Sequence, residues 1–254
     1  MPLDMDFIRE QRPQNQIVYI PSVGSTMTQA VRLVKENAPH NTVVIADEQT
    51  AGVGRFGRHW HSEAETGIYC SVLLRLPIPP SELPVVTLAL GLATAEAIQR
   101  STGIACDLRW PNDVLVGDCK IAGILAQLED GCIIAGIGIN VNQSALPPDL
   151  RTPATSLRLA SGNRIFAREG IAVALLESLD DFSAMLLQQG SESILRAFSA
   201  ASSYVMNRRV VYEDGGGVER GVTAGLDESG FLRVRDDRHV VHTIYTGGVR
   251  PDLQ

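Results

Sequence analysis

Lysine is nearly absent from this chain: of 22 basic residues only Lys35 and Lys120 are lysine. Arginine serves wherever a plain positive charge suffices, so Lys120 invites a chemical explanation. Lys35, beside Val34, Glu36 and Asn37, reads as a solvated charge on a helix surface. Lys120 follows a hairpin turn, where exposed lysines are common on strand edges, so alone it has two readings. Upstream, the stretch from Gln49 to Trp60 places glycine at 52, 54 and 57 and arginine at 55 and 58. Glycine lets a backbone approach a ligand closely, and arginine offers a planar charged fork for phosphate or carboxylate oxygens. The combination reads as an anion-binding loop.

Those glycines also spell G-x-G-x-x-G. A dinucleotide fingerprint must follow a strand, open a helix and meet an acidic residue about 20 positions later. Here the chain after the loop, Gly67 to Leu76, is β-branched and alternating, and that region holds Arg75 and no acid. The dinucleotide reading is set aside. A plain surface glycine turn is the competing one, since glycine clusters usually mark turns.

The elements that must position these residues follow from periodicity. Gln16 to Ile20 reads as a first strand, Pro21 to Gly24 as a turn, and Ser25 onward as a helix closed by Pro39. Thr26 and Gln29 have capping-box spacing; Ser25 and Thr26 read first as a helix cap, and a helix N-terminus also suits an anionic ligand. Thr42 to Ala46 is a buried strand that delivers the loop, Ile68 to Leu76 returns from it, and Leu83 to Arg100 is a core helix. Then come strands at Asp107 to Trp110, Val114 to Val116, Cys119 to Glu129 and Cys132 to Val141, with turns at Gly117-Asp118 and Asp130-Gly131: an antiparallel meander. Ser144 to Asn163 is loop-like and helices follow at Ala167 to Gln189 and Glu192 to Ala201. From Asn207 short strands are separated by turns such as Gly215-Gly-Gly217, which suggests a small β-barrel with a boundary near Val205.

Composition narrows the class. With 254 residues and 44% hydrophobic content the chain can bury a sizeable core. A net charge of -7 without any Lys/Arg run argues against general nucleic-acid or membrane-surface binding. The N-terminus carries no signal-peptide pattern and no run of about 18 uninterrupted apolar residues occurs, so a cytoplasmic location is expected. Cys70, Cys106, Cys119 and Cys132 have neither paired nor zinc spacing and read as small core or strand residues.

Four polar groups converge by topology: the glycine loop, the Trp110-Pro-Asn-Asp113 turn, Lys120, and Asn140 near the end of the last meander strand. Asn112, Asp113 and Asn140 each have an ordinary turn or strand-end reading. Together they have a chemical logic. Two cations bring two anions together, a carboxylate can hold Mg²⁺, and a flexible loop can exclude water. That suits joining a carboxylate to the α-phosphate of ATP, which is acyl adenylation.

On these residues the chain resembles the biotin protein ligases of the short, monofunctional type. The resemblance is carried by Ser25-Thr26, Gln49 to Arg58, Arg109-Trp-Pro-Asn-Asp113, Lys120-Ile-Ala-Gly-Ile124, Gly136-Ile-Gly-Ile-Asn140, Ala154-Thr-Ser-Leu157 and the terminal strands, and it runs from about residue 17 to residue 250. It implies an α+β fold with a class II aminoacyl-tRNA synthetase-like catalytic domain over residues 1 to 204. That domain has a mixed sheet flanked by helices, and an SH3-like barrel over 205 to 254 follows it. It implies that biotin and ATP give biotinyl-5'-AMP and pyrophosphate, with transfer to a lysine of a biotin carboxyl carrier domain. Ser25, Thr26 and Gln49 would line the biotin pocket, with Met27 beside them, and Gly52, Val53, Gly54 and Arg55 would wrap the adenylate, with Arg58 as the loop's second cation. Lys120 would meet the biotin carboxylate and α-phosphate, Gly123 and Leu125 the biotin ring, Trp60, Asn112 and Asn140 the nucleotide, and Asp113 Mg²⁺. Lys120, Arg55 and Asp113 are the expected catalytic set.

The chain departs from the family pattern at two points. Val53 stands where arginine or lysine is usual between the first glycines, and Met27 stands where asparagine often follows Ser-Thr. A lipoate or octanoate transferase and a non-catalytic biotin-binding protein are the alternatives. The stretch before Gln16 is too short for a helix-turn-helix domain, so no DNA partner is expected, nor a membrane one. The resemblance is compatible with a homodimer.

Overall fold

In the computed structural model, which describes residues 1–148, 150, 152–214 and 217–252, two sheets share one core. Gly215 and Gly216 of the expected glycine turn, and Asp149 and Arg151 of the expected loop, lie outside the described residues. The chain opens with a helix that periodicity did not suggest, α1 (Met5–Gln11), whose first turn is capped by the Asp4 carboxylate accepting from Phe7 N. Strand β1 (Gln16–Val23) runs through the expected turn at Pro21. Pro21 has no N–H to give, and β1 lies at the edge of its sheet, where one is not needed. Then come α2 (Thr26–Lys35), β2 (Thr42–Gln49), β3 (Gly67–Leu74), α3 (Leu83–Thr102), β4 (Asp107–Arg109), β5 (Asp113–Val116), β6 (Cys119–Glu129) and β7 (Cys132–Asn140).

These strands form a seven-stranded sheet of order β1-β2-β3-β7-β6-β5-β4, parallel only between β1 and β2. The expected meander is present, and the Asp130-Gly131 hairpin turn has both residues at positive φ, 45° and 72°, as a type I′ turn demands. Strands β3 and β7 are buried along their whole length, which explains why they read as continuous apolar runs. On one face, α3 and α5 (Arg168–Gln189) cover Val43, Ile45, Val72 and Leu74. On the other, α2 places Met27, Ala30 and Val34 against Val44, Leu73 and Ile134. Alternation along β2 and β3 therefore serves two cores. Helix α3 is long and apolar enough to cross a membrane by composition. Most of its side chains from Val85 to Ile98, among them Leu88, Leu90, Leu92 and Ile98, are instead buried in the core.

A short α4 (Leu157–Ala160), capped by Ser156, precedes α5, and α6 (Ser191–Ala201) leads into the second sheet. This comprises β8 (Met206–Asp214), β9 (Gly217–Leu226), β10 (Leu232–Arg235), β11 (Val241–Ile244) and β12 (Val249–Pro251), all antiparallel in the order β11-β10-β9-β8-β12. Tyr204, Val210, Leu232, Val234 and Val249 belong to the same core cluster as α3 and the first sheet. Trp110 Nε1 donates to Gly230 O across the junction at 2.9 Å. The fold is thus a mixed α+β fold with a sheet-rich C-terminal part.

Candidate active site

The glycine loop forms a small hairpin rather than a strand-to-helix phosphate turn. Trp60 N donates to Gly52 O at 2.9 Å, Gly54 N to Arg58 O at 2.7 Å, and Val53 bridges His59. The tip, Arg55 to Gly57, is a single 3-10 turn in which Phe56 sits at φ 59°. Gly52 has no room for a side chain, because a Cβ there would lie 2.6 Å from Trp60 O. Arg55 reaches 192 residues along the chain to donate from Nη1 to Gly247 O at 2.7 Å. Burial pushes the Arg55 guanidinium below its usual pKa, Asp113 opposes that, and Arg58 adds to it.

Beneath the loop lies an ion-pair triad built by sheet register. Arg109 on β4 pairs with Asp113 on β5 and donates to Oδ2 from Nη2 at 2.6 Å and from Nε at 3.2 Å. Lys120 Nζ meets Asp113 Oδ1 at 2.5 Å. The register of β5 on β6 slips between Val114↔Ala122 and Leu115↔Lys120, leaving Ile121 as an extra residue. This bulge turns Lys120 onto the face that Gly123 opens, where its Nζ lies 3.0 Å from the position a Cβ of Gly123 would take. Burial alone would raise the Asp113 pKa. The charges of Lys120 and Arg109, with their hydrogen bonds, overcome it and hold the carboxyl below its ordinary value. Lys120 is also gripped along its backbone, its N–H donating to Pro153 O at 2.7 Å while its carbonyl accepts from Thr155 N at 2.9 Å. The Ala154-Thr-Ser segment is therefore a backbone partner of Lys120.

The expected capping box is replaced by a longer-range device. Ser25 is the N-cap residue of α2, but its side chain makes no cap bond and its Oγ is buried without a partner. Gln49 caps instead: its Oε1 accepts from Thr26 N at 2.8 Å and Thr26 Oγ1 at 3.1 Å, and its Nε2 donates to Ser62 Oγ at 3.0 Å. Ser71, a polar residue inside the fully buried β3, donates to Thr26 Oγ1 at 2.9 Å. This polar wall brings Thr26 and Gln49 together as expected and adds Ser62 and Ser71, of which only Ser71 left a trace in the sequence, as a hydroxyl in an apolar strand.

Two adjoining cavities meet at the triad. A smaller one, about 50 Å³, is lined by Thr26, Met27, Gln49, Val53, Gly123, Leu125 and Gly136. A larger one, about 200 Å³, is lined by Arg58, Arg109, Asp113, Asn140 and, from the C-terminal sheet, Glu213 and Gly247 to Arg250. Gly54, Arg55, Trp60, Asn112 and Lys120 face both. Ser25 and Gly52 line neither and support the walls. The Trp60 indole lies flat on the sheet, with Cε2 and Nε1 each 2.4 Å from where a Cβ of Gly138 would be, and Lys120 Nζ is 5.3 Å from its ring centroid. Asn112 Nδ2 donates to Ile124 O at 2.8 Å and Asn140 Nδ2 to Thr155 O at 3.0 Å, so both amides brace the backbone of the walls. The C-terminal contribution had no signal in the sequence.

The surroundings of Asp113 differ from those of a metal ligand. Both its oxygens accept from cations, and among the described residues no group of three or more His, Cys, Asp or Glu residues is placed to hold a metal ion. The cysteines are free, and burial pushes the Cys70 thiol up to about 12.

Residues 19–144 match the biotin/lipoate A/B protein ligase family. The chain is 43% identical over 156 residues to the bifunctional ligase/repressor BirA of Bacillus spizizenii, a match covering 59% of this chain and 48% of that protein. It thus spans about half of that relative's length. It is 33% identical over 243 residues to the biotin-acetyl-CoA-carboxylase ligase of Mycobacterium tuberculosis, covering 91% of this chain and 89% of that one. A solved biotin protein ligase from Aquifex aeolicus in complex with biotin and ATP superimposes with a TM-score of 0.80 at 30% identity, covering 92% and 97% of the two chains. By sequence and by fold, the chain belongs to the biotin/lipoate A/B protein ligase family.

Proposed function

We propose that this chain is a biotin protein ligase, which activates biotin with ATP and passes it to a lysine of a biotin carboxyl carrier domain. The observation that carries the reading is Lys120, which faces both cavities while paired to Asp113. An acid seated in the smaller cavity and the α-phosphate of ATP seated in the larger one would meet at its ammonium. There the cation offsets the repulsion between a carboxylate oxygen and a phosphoryl oxygen, which is stronger in a site that excludes water. In the first step the carboxylate oxygen bonds to the α-phosphorus and the bond to the pyrophosphate leaving group breaks. In the second, the carrier lysine amine bonds to the acyl carbon, AMP leaves and the amine loses a proton.

Arg109 and Asp113 act through Lys120. A carboxylate held below its ordinary pKa stays ionised and keeps the ammonium aimed. Asp113 is a positioning residue in this reading and not a Mg²⁺ ligand; Mg²⁺ enters with the ATP phosphates as part of the substrate. Arg55, fastened to Gly247, closes the loop over the intermediate. Val53, an exposed apolar residue, leaves the position between the first two glycines without a cation.

The class II synthetase-like and SH3-like readings of the two parts, and a boundary near Val205, belong to the same proposal. So do a cytoplasmic location, a carrier-domain partner without DNA or membrane, and a homodimer as the form of any self-association. Support comes from the Mycobacterium relative, named a biotin-acetyl-CoA-carboxylase ligase, and from the Aquifex structure with biotin and ATP. The test is ATP-pyrophosphate exchange by the purified chain with biotin, lipoate, octanoate or no acid. Exchange with biotin alone is expected. Exchange with lipoate or octanoate instead would move the chain to the other branch of the family, and silence with every acid would overturn the proposal.

A further inference from the structure

Three glycines, Gly123, Gly136 and Gly138, floor the smaller cavity, and two side chains lie over them. Trp60 covers Gly138 and Gly123. Met27 covers Gly136, with Sδ 2.5 Å and Cγ 3.1 Å from where a Cβ would stand. What remains is about 50 Å³, against the roughly 150 Å³ that admits a benzene ring. A bicyclic acid seated wholly within that cavity would have to push a side chain aside. Met27 is the suited one: its thioether is unbranched and carries no polar group to satisfy, whereas such side chains fill irregular gaps and repack readily. It stands on the first turn of α2, immediately after Thr26 in the polar wall, so it begins the apolar wall where the polar one ends. It also caps the small core of Ala30, Val34, Val44 and Leu73, so its backbone is held while its tip faces the cavity.

We infer that Met27 is the size-determining residue of the acid pocket, an adjustable plug over Gly136 that sets how bulky a ring system the site accepts. The inference rests on the function proposed above. A chain with a shorter residue at 27 would accept acids with more ring bulk. One with a side chain at 136 would drive the Met27 tip into the cavity, because the clash falls on the end of a flexible side chain.

The test is equilibrium binding of biotin and of a biotin analogue alkylated on its fused ring, to the full chain and to Met27→Ala, Met27→Leu, Gly136→Ala and the Gly136→Ala/Met27→Ala double variant. A methylene-sized change in an apolar pocket alters discrimination by roughly 10- to 200-fold. Met27→Ala should shift the affinity ratio toward the alkylated analogue by that order, and Met27→Leu should hold it near the parent's. Gly136→Ala should weaken biotin by about 10-fold, and the double variant should recover it. A merely structural Met27 would change stability and leave the ratio between acids where it was, which would overturn the inference; so would a double variant no better than Gly136→Ala. Should Met27→Ala fail to fold, Met27→Val, shorter than methionine and still apolar, takes its place in both arms and is read by the same ratios. Loss of biotin-dependent exchange in the parent chain would strike the proposed ligase, while the binding ratios would still decide the role of Met27. Binding of neither acid would overturn both.

Discussion

At the scale of single residues the site is one carboxylate shared by two cations. Arg109 is almost wholly buried and Asp113 and Lys120 are largely so, so removing one member leaves charge uncompensated where it is poorly solvated. Breaking a buried pair in this way costs about 3 to 5 kcal/mol. Lys120→Ala should reduce biotin-dependent pyrophosphate exchange by about 100-fold or more, since no second lysine lies in the site; an unchanged exchange rate would remove Lys120 from the chemistry. Asp113→Asn should lower both exchange and stability. Because the folded pKa of Asp113 lies below its ordinary value, its stabilisation is fully present above the unfolded carboxyl's pKa of about 4 and is lost as pH falls through the depressed folded value. The stability gap between the parent and Asp113→Asn, read from urea unfolding, should therefore be constant from neutral pH down to that point and shrink below it. A gap that closes near neutrality would show that some other group holds Lys120.

At the scale of elements, what was legible was whatever local chemistry decides. Asp130-Gly131 adopts the turn its residues require, and α3 ends at Gly103 with φ 76°, as a glycine after an apolar helix should. The glycine loop and Lys120 were visible because residue type alone singles them out. The devices that aim them were not. The extra residue Ile121 that turns Lys120 is a matter of pairing between β5 and β6, and Gln49 as the cap of α2 depends on a contact across 23 residues. Capping-box spacing at Thr26 and Gln29 pointed to a local solution where the fold used a distant one. The sheet glycines follow the same logic, since glycine in a strand signals close approach without naming what approaches. Here it is Trp60, and Gly138→Ala should displace the indole because the added Cβ would fall 2.4 Å from two ring atoms. The expected outcome is a changed near-UV circular dichroism band with an unchanged far-UV spectrum and loss of exchange. A variant active with an unaltered tryptophan signal would mean that the loop yields without consequence.

At the scale of the whole molecule, composition and strand spacing suggested two units divided near Val205, and the packing joins them. Tyr204, Val210 and Val249 share a core with α3, Trp110 donates to Gly230, and a Cβ placed on Gly230 would lie 3.3 to 3.5 Å from Leu88, Val85 and Leu195, so the second sheet approaches α3 and α6 closely there. The Arg55 contact to Gly247 adds a link from the catalytic loop to the C-terminal sheet. A C-terminal sheet that buries part of the common core and closes the larger cavity should not melt by itself, since units become independent only where few contacts cross between them. Calorimetry of the full chain should show one transition whose calorimetric and van't Hoff enthalpies agree, and ATP should shift that transition as a whole. Two resolved transitions, with ATP moving only the one that reports the first sheet, would mean that the boundary near Val205 divides the molecule in stability as well as in sequence. In that case a chain ending at Val205 would fold but lack Gly247, and Arg55→Ala would shorten the life of the bound adenylate in the full chain while changing little in the shortened one. With one transition the full-length variant leaks intermediate faster all the same, and the shortened chain fails to fold.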